Sequence, residues 1–304
     1  MEQDHTQKPR WSPPRGRVVW RVAASDPTQE YLLYVSRTAA AGAPVMVSVH
    51  GLMREATKHP PAFSQMCEVC GAVMMAPIFR KDTHTDYQRL GRKGHGQRAD
   101  LLLHRLLAEV ASLCGAEVTR IHLFGFSGGA QFAHRYAMTH PERVARVVVA
   151  APGWYTFPDP QQRYPYGIRP TPALSGVTFD PDAFLRVPMS VIIGSLDTTM
   201  ENTRSTARTV AQQGATRLDR ARNWVSAMRD AATALSLEPQ VTLTEVPGIG
   251  HSFSEFCERG NLVELVRQAL FGEAPVDARR AARRAARRHK KAVSHPAPVA
   301  HRVR

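Results

Sequence analysis

A serine hydroxyl becomes a useful nucleophile only where the chain exposes it and a base stands beside it, and Gly125-Phe126-Ser127-Gly128-Gly129 has the pattern that does the first. The G-x-S-x-G follows an apolar strand-like run and opens a helical one, the setting of a nucleophile elbow, in which glycines admit the close approach of neighbouring backbone. The base is expected after the last strand, where His251 stands in the loop PGIGHSF. A carboxylate must fix the imidazole tautomer, and Asp197, closing MSVIIGSLD, completes the chain order Ser, Asp, His. Asp159, Asp180, Asp182, Asp219 and Glu245 remain open as competitors for that third place. The chemistry these residue types suggest is attack of the Ser127 hydroxyl on a carbonyl, with His251 taking its proton.

Such a reaction builds negative charge on an oxygen, which backbone N–H groups can stabilise. The Gly128 amide at a helix start is one expected donor. The second is expected in the loop His50-Gly51-Leu52-Met53, with Leu52 preferred over Met53 as the amide and His50 read as structural. Trp154, Tyr155 and Phe157 follow a strand end, where ligands bind in sheets of this kind. Trp154, Tyr155 and Met53 are therefore expected to contact substrate, with core packing of the two aromatics as the alternative. His104 and His140 fall in helical stretches and are read as packing residues. The run 82–96, DTHTDYQRLGRKGHG, is read as a solvated loop whose cations could otherwise meet an acidic substrate.

Positioning these groups requires a scaffold, and short β-rich runs alternate with helical ones: 18–22, 31–36, 45–50, 72–79, 121–126, 145–151, 189–195 and 241–246. The later runs are apolar almost throughout, as strands covered on both faces are, which predicts a largely parallel eight-stranded sheet with an antiparallel hairpin at one edge. Apolar residues at i, i+3, i+4 predict helices over 98–113, 130–140, about 205–235 and 262–271. Residues 155–188 contain seven prolines and form an excursion, read either as a lid or substrate-contacting wall or as a plain connection.

Taken together, VSVHGL, GFSGGAQFAHR, VIIGSLD and PGIGHSF resemble the α/β-hydrolase superfamily, and within it bacterial esterases and polyhydroxybutyrate-depolymerase-like serine hydrolases. The resemblance spans about residues 18–272. It implies an α/β fold with helices on both faces of the sheet, cofactor-free hydrolysis of a carboxylic ester or thioester through an acyl-enzyme, and the triad Ser127, Asp197, His251. An acyltransferase using the same three residues, or a non-catalytic binding protein of the same fold, are the alternatives.

Composition sets the remaining expectations. Of 304 residues 43% are hydrophobic, enough for one sizeable core, and no apolar run approaches the 18 residues a membrane span needs. The formal charge is +14, but residues 279–304 hold ten Lys or Arg and no Asp or Glu, which leaves +4 for residues 1–278. The organisation expected is a flexible arm over 1–17, a hydrolase domain over 18–272 and a basic, disordered tail over 273–304. That tail is the candidate contact for a polyanion such as nucleic acid, polyphosphate or an anionic surface, alongside a small-molecule substrate. Four cysteines give one lone C-x-x-C, Cys67 and Cys70, without the second pair a zinc site needs. With no apolar leader segment, a reducing cytoplasm is expected. No metal or organic cofactor is called for.

Overall fold

The computed structural model describes residues 12–199 and 205–272. All eight apolar runs become strands of one sheet: β1 (Val18–Ala23), β2 (Asp26–Val35), β3 (Pro44–Val49), β4 (Val73–Ile78), β5 (Glu117–Phe126), β6 (Val144–Ala150), β7 (Met189–Gly194) and β8 (Val241–Val246). Their spatial order is β1-β2-β4-β3-β5-β6-β7-β8. β2 runs antiparallel to both β1 and β4, and every other neighbouring pair is parallel. The central strands are largely buried on both faces, so β3, β6 and β7 are apolar but for Ser48, Arg146 and Ser190, whereas edge strand β1 alternates and leaves Val18, Trp20 and Val22 exposed.

Among the described residues, eight helices cover the faces: α1 (His59–Cys70), α2 (Ala99–Cys114), α3 (Gly128–Thr139), α4 (Pro181–Phe184), α5 (Ala207–Gln213), α6 (Arg217–Ala234), α7 (Phe253–Glu258) and α8 (Leu262–Phe271). The single helix expected over 205–235 is two, broken at Gly214, where φ is 110°, and restarted by a Thr216–Asp219 capping box. α1 escapes a periodicity reading because its first turn carries Pro60 and Pro61, a place where proline is tolerated for want of an intrahelical N–H partner. None of the described helices is long and apolar enough to cross a membrane.

The Pro-rich excursion is folded into the body. The Phe157 N–H donates to the Tyr166 carbonyl at 3.0 Å, the Thr156 hydroxyl to the Pro165 carbonyl at 2.7 Å and the Tyr164 hydroxyl to the Arg89 carbonyl at 2.9 Å. Tyr164, Ile168, Leu174 and Val177 are buried. Buried Arg135 on α3 fastens it further, bonding Thr156 Oγ1 at 2.9 Å and the Gln88 carbonyl at 2.7 Å. Of the expected N-terminal arm, Arg15 and Gly16 lie against Val35 at the end of β2. Residues 1–11 and the whole basic tail, 273–304, lie outside the described residues.

Candidate active site

β5 delivers its last residue, Phe126, directly into α3 through Ser127, whose φ of 53° and ψ of −112° belong to the sparsely populated part of the backbone map. Holding a non-glycine residue there costs about 1–3 kcal/mol and needs surroundings that over-determine it. Those surroundings are visible: the Ser127 N–H donates to the Ala150 carbonyl at 2.9 Å, and its own carbonyl accepts the Gln131 N–H at 3.1 Å. The turn is tight because its glycines lack side chains. A Cβ on Gly125 would stand 2.2 Å from the Gly129 carbonyl oxygen, and one on Gly129 would stand 2.0 Å from that of Val49.

The loops after β7 and β8 are laced together, which brings Asp197 and His251 to the same end of the sheet. The Leu196 N–H bonds the Ile249 carbonyl at 2.9 Å, the Gly248 N–H bonds Ser195 Oγ at 2.9 Å, and a Cβ on Gly194 would meet the Ile249 oxygen at 2.1 Å. His251 Nε2 then lies 3.0 Å from Ser127 Oγ and its Nδ1 2.7 Å from Asp197 Oδ2. The His251 ring stacks on Phe126, with centroids 5.4 Å apart. Asp197 is fully buried, and its second oxygen accepts from Arg217 Nη1 at 3.0 Å, a guanidinium that also reaches the Thr199 carbonyl at 2.6 Å.

Gly128 opens α3, so its N–H is one of the first-turn donors that a helix leaves without an internal acceptor. Across from it runs the tight turn Gly51–Arg54, closed by the Arg54 N–H on the Gly51 carbonyl at 3.0 Å. Leu52 presses close to the helix start, since a Cβ on Gly128 would lie 2.9 Å from Leu52 Cγ. His50 anchors this loop from beneath: its Nε2 accepts the Phe79 N–H at 3.0 Å, which leaves Nδ1–H to donate to the Gly51 carbonyl at 2.8 Å. Burial depresses its pKa to about 4, so the ring is neutral and this tautomer is fixed. The result is a groove of about 490 Å³ lined by Leu52, Met53, His59, Ser127, Arg217, His251 and Phe253 among others.

No protein-family model and no curated protein matches the sequence. Solved structures do match. LpqC, a poly(3-hydroxybutyrate) depolymerase from Bordetella parapertussis, superposes with a TM-score of 0.68 at 25% identity, covering 87% of this chain and 92% of that one. Poly(aspartic acid) hydrolase-1 from Sphingomonas sp. KT-1 gives 0.67 at 22% identity, over 78% and 93% of the two chains. An S-formylglutathione hydrolase from Agrobacterium tumefaciens gives 0.57 at 16% identity, over 83% and 94%. The chain is an α/β-hydrolase by fold.

Within this α/β-hydrolase, two of the residues expected to touch substrate do not line the groove. Trp154 and Tyr155 are buried away from it. Ala151, at a φ of 49°, turns the chain inward after β6, so Tyr155 stacks on Trp224 at 4.8 Å and Trp154 lies under the Arg135 guanidinium at 4.4 Å. Gln213 pins both the N–H and the carbonyl of Tyr155. Met53 does line the groove and is 82% exposed. Among the described residues, none from 155–188 reaches this groove, so the excursion is a packed connection rather than a wall of it.

The competing carboxylates have other work. Asp180 caps α4, Asp219 closes the capping box, Asp159 accepts the Gln161 N–H, Asp182 pairs with Arg186 and Glu245 with Arg222. In the run 82–96, Arg89 and Arg92 both grip buried Asp86, so these cations hold the loop's own shape. His140 pairs with Asp100 at 3.0 Å, and His104 packs edge-on against it. Cys67 is buried and Cys70 half-buried within α1. Burial drives both thiols upward, Cys70 to about 11, so neither is a thiolate near neutral pH. Arg217, His59 and Phe253 were not foreseen in the sequence. Arg217 begins a helix and His59 precedes two prolines, and neither pattern signals a groove.

Proposed function

We propose that this protein is a serine hydrolase that cleaves a carboxylic ester or thioester through an acyl-enzyme. The observation that carries the proposal is the unbroken hydrogen-bonded line from Ser127 Oγ through His251 to buried Asp197, with the serine on the floor of an open groove. Ser127 Oγ attacks the substrate carbonyl carbon as its proton passes to His251 Nε2. Asp197 holds the Nδ1–H and stabilises the imidazolium. The oxyanion of the tetrahedral intermediate is stabilised by the Gly128 and Leu52 amides. Collapse expels the alcohol or thiol, which takes the proton from His251. Water then attacks the acyl-enzyme with His251 as base, and the second collapse frees the acid and Ser127.

The neighbours' names support acyl chemistry without fixing a substrate, since they act on a polyester, poly(aspartic acid) and S-formylglutathione. Met53 and Leu52 give the groove an apolar rim, which favours a small or medium acyl ester. Rapid mixing with p-nitrophenyl acetate tests the acyl-enzyme: a burst of about one nitrophenol per protein, followed by slower turnover, is expected. Linear release from the first turnover with no trapped acyl group on Ser127, under conditions where deacylation is slow, would remove the covalent step.

A further inference from the structure

The groove contains a second histidine that the triad does not use. His59 opens α1 and is almost wholly buried, with one ring face stacked on Phe253 at 4.6 Å and 11° and with Phe63 and Phe124 edge-on around it. Its Nδ1 lies 2.6 Å from Ser48 Oγ. Ser48 is the one polar residue in Val45–Val49 of β3, and it too is fully buried. Among the described residues Ser48 Oγ has no other hydrogen-bond partner, so the arrangement that satisfies both groups has the hydroxyl donating to Nδ1. The ring proton then sits on Nε2. That nitrogen meets no protein partner among the described residues and is not sealed in the interior, and His59 lines the groove.

We infer that His59 is a substrate-binding residue whose Nε2–H donates a hydrogen bond to a second oxygen of the substrate, apart from the reacting carbonyl. The substrate class is accordingly an ester with an additional acceptor, an ether, hydroxyl or carbonyl oxygen, on its acyl or alcohol part. A phenylalanine in this place could keep the ring stacking but would leave the buried Ser48 hydroxyl without its partner. The buried Ser48 hydroxyl behind the ring fixes the tautomer that presents an N–H, rather than a bare lone pair, to the groove. Desolvation holds the His59 pKa near 3, so the ring is neutral at any working pH and acts as a fixed donor. This inference rests on Ser127 being the nucleophile of the proposed function.

The test is a pair of isosteric comparisons in which oxygen replaces a methylene: phenyl 3-methoxypropanoate against phenyl pentanoate for the acyl side, and 2-methoxyethyl butanoate against butyl butanoate for the alcohol side. The kcat/KM ratio within each pair is measured for the wild-type protein, His59→Phe and Ser48→Ala, and Ser127 labelling by a fluorophosphonate is followed in all three. His59→Phe supplies the intrinsic reactivity ratio. On one side the wild-type ratio is expected to exceed it by about tenfold, the size of one well-made hydrogen bond, and Ser48→Ala, which frees the tautomer, is expected to fall between. Equal ratios in wild type and His59→Phe on both sides, with Ser127 still labelled, would overturn the role of His59 and leave the proposed function standing. Should His59→Phe fail to fold, an undiminished wild-type ratio in Ser48→Ala would overturn it instead. Absence of turnover and of Ser127 labelling in the folded wild type would remove the proposed function, and this inference with it.

Discussion

At the scale of residues, three side chains from loops far apart in sequence meet within hydrogen-bond distance, and each can be removed singly. Ser127→Ala is expected to lower kcat by about 10⁴- to 10⁶-fold with an unchanged melting temperature, because triad members act as a unit. Arg217→Met takes a donor from Asp197 Oδ1 at the back of the relay. It is expected to cost about 3 kcal/mol of stability and to lower kcat about 10- to 100-fold by loosening the carboxylate. Denaturant unfolding and steady-state kinetics on one preparation check both. Ser127, Asp197 and His251 were legible in the sequence because each follows a strand end at a fixed place in the chain order. Arg217 and His59 were not, because their roles depend on which helix start faces the groove. Trp154 and Tyr155 share the same kind of strand-end position, yet a single inward turn at Ala151 sends them into the core.

At the scale of elements, the site depends on how closely β5, α3 and β3 approach one another. Gly129→Ala would force a Cβ to within 2.0 Å of the Val49 oxygen, backbone that cannot step aside. A loss of at least about 3 kcal/mol is expected. Gly42→Ala provides the contrast: its φ is 72° with open space around it, so only the left-handed backbone is penalised, at about 1 kcal/mol. Melting curves of the two variants should differ accordingly, and equal losses would show that the elbow is looser than its contacts imply. The central strands were legible because burial on both faces writes a nearly unbroken apolar run. α1 was not, since its opening prolines mimic a loop, nor was the break at Gly214, since helical periodicity continues across it.

For the whole molecule, several histidines are buried or half-buried and neutral. Desolvation lowers His50, His84 and His122 to about 4 and His59 to about 3, below the ordinary imidazole value of 6.5. Unfolding releases them to bind protons, so their stabilising contribution is complete above pH 6.5 and is lost as pH falls from 6.5 through about 4. For fully buried His50 alone that amounts to about 3 kcal/mol. Unfolding free energy measured by denaturant titration should fall steeply over that window, and a flat profile between pH 6.5 and 4 would contradict the neutral burial. Charge has a different distribution: ten of the Lys and Arg residues lie in 279–304, remote in sequence from every groove residue. If those charges form a polyanion contact, deleting 279–304 should abolish salt-sensitive retention on heparin or polyphosphate and leave turnover of a soluble ester within about twofold.

Covalent labelling with a fluorophosphonate probe, with the adduct located by mass spectrometry in wild type and Ser127→Ala, tests the central claim most directly. An activated serine predicts a stoichiometric adduct on Ser127 in the wild type and none in the variant. Folded wild-type protein that stays unlabelled, or an adduct that persists in Ser127→Ala, would contradict the assignment of Ser127 as the nucleophile.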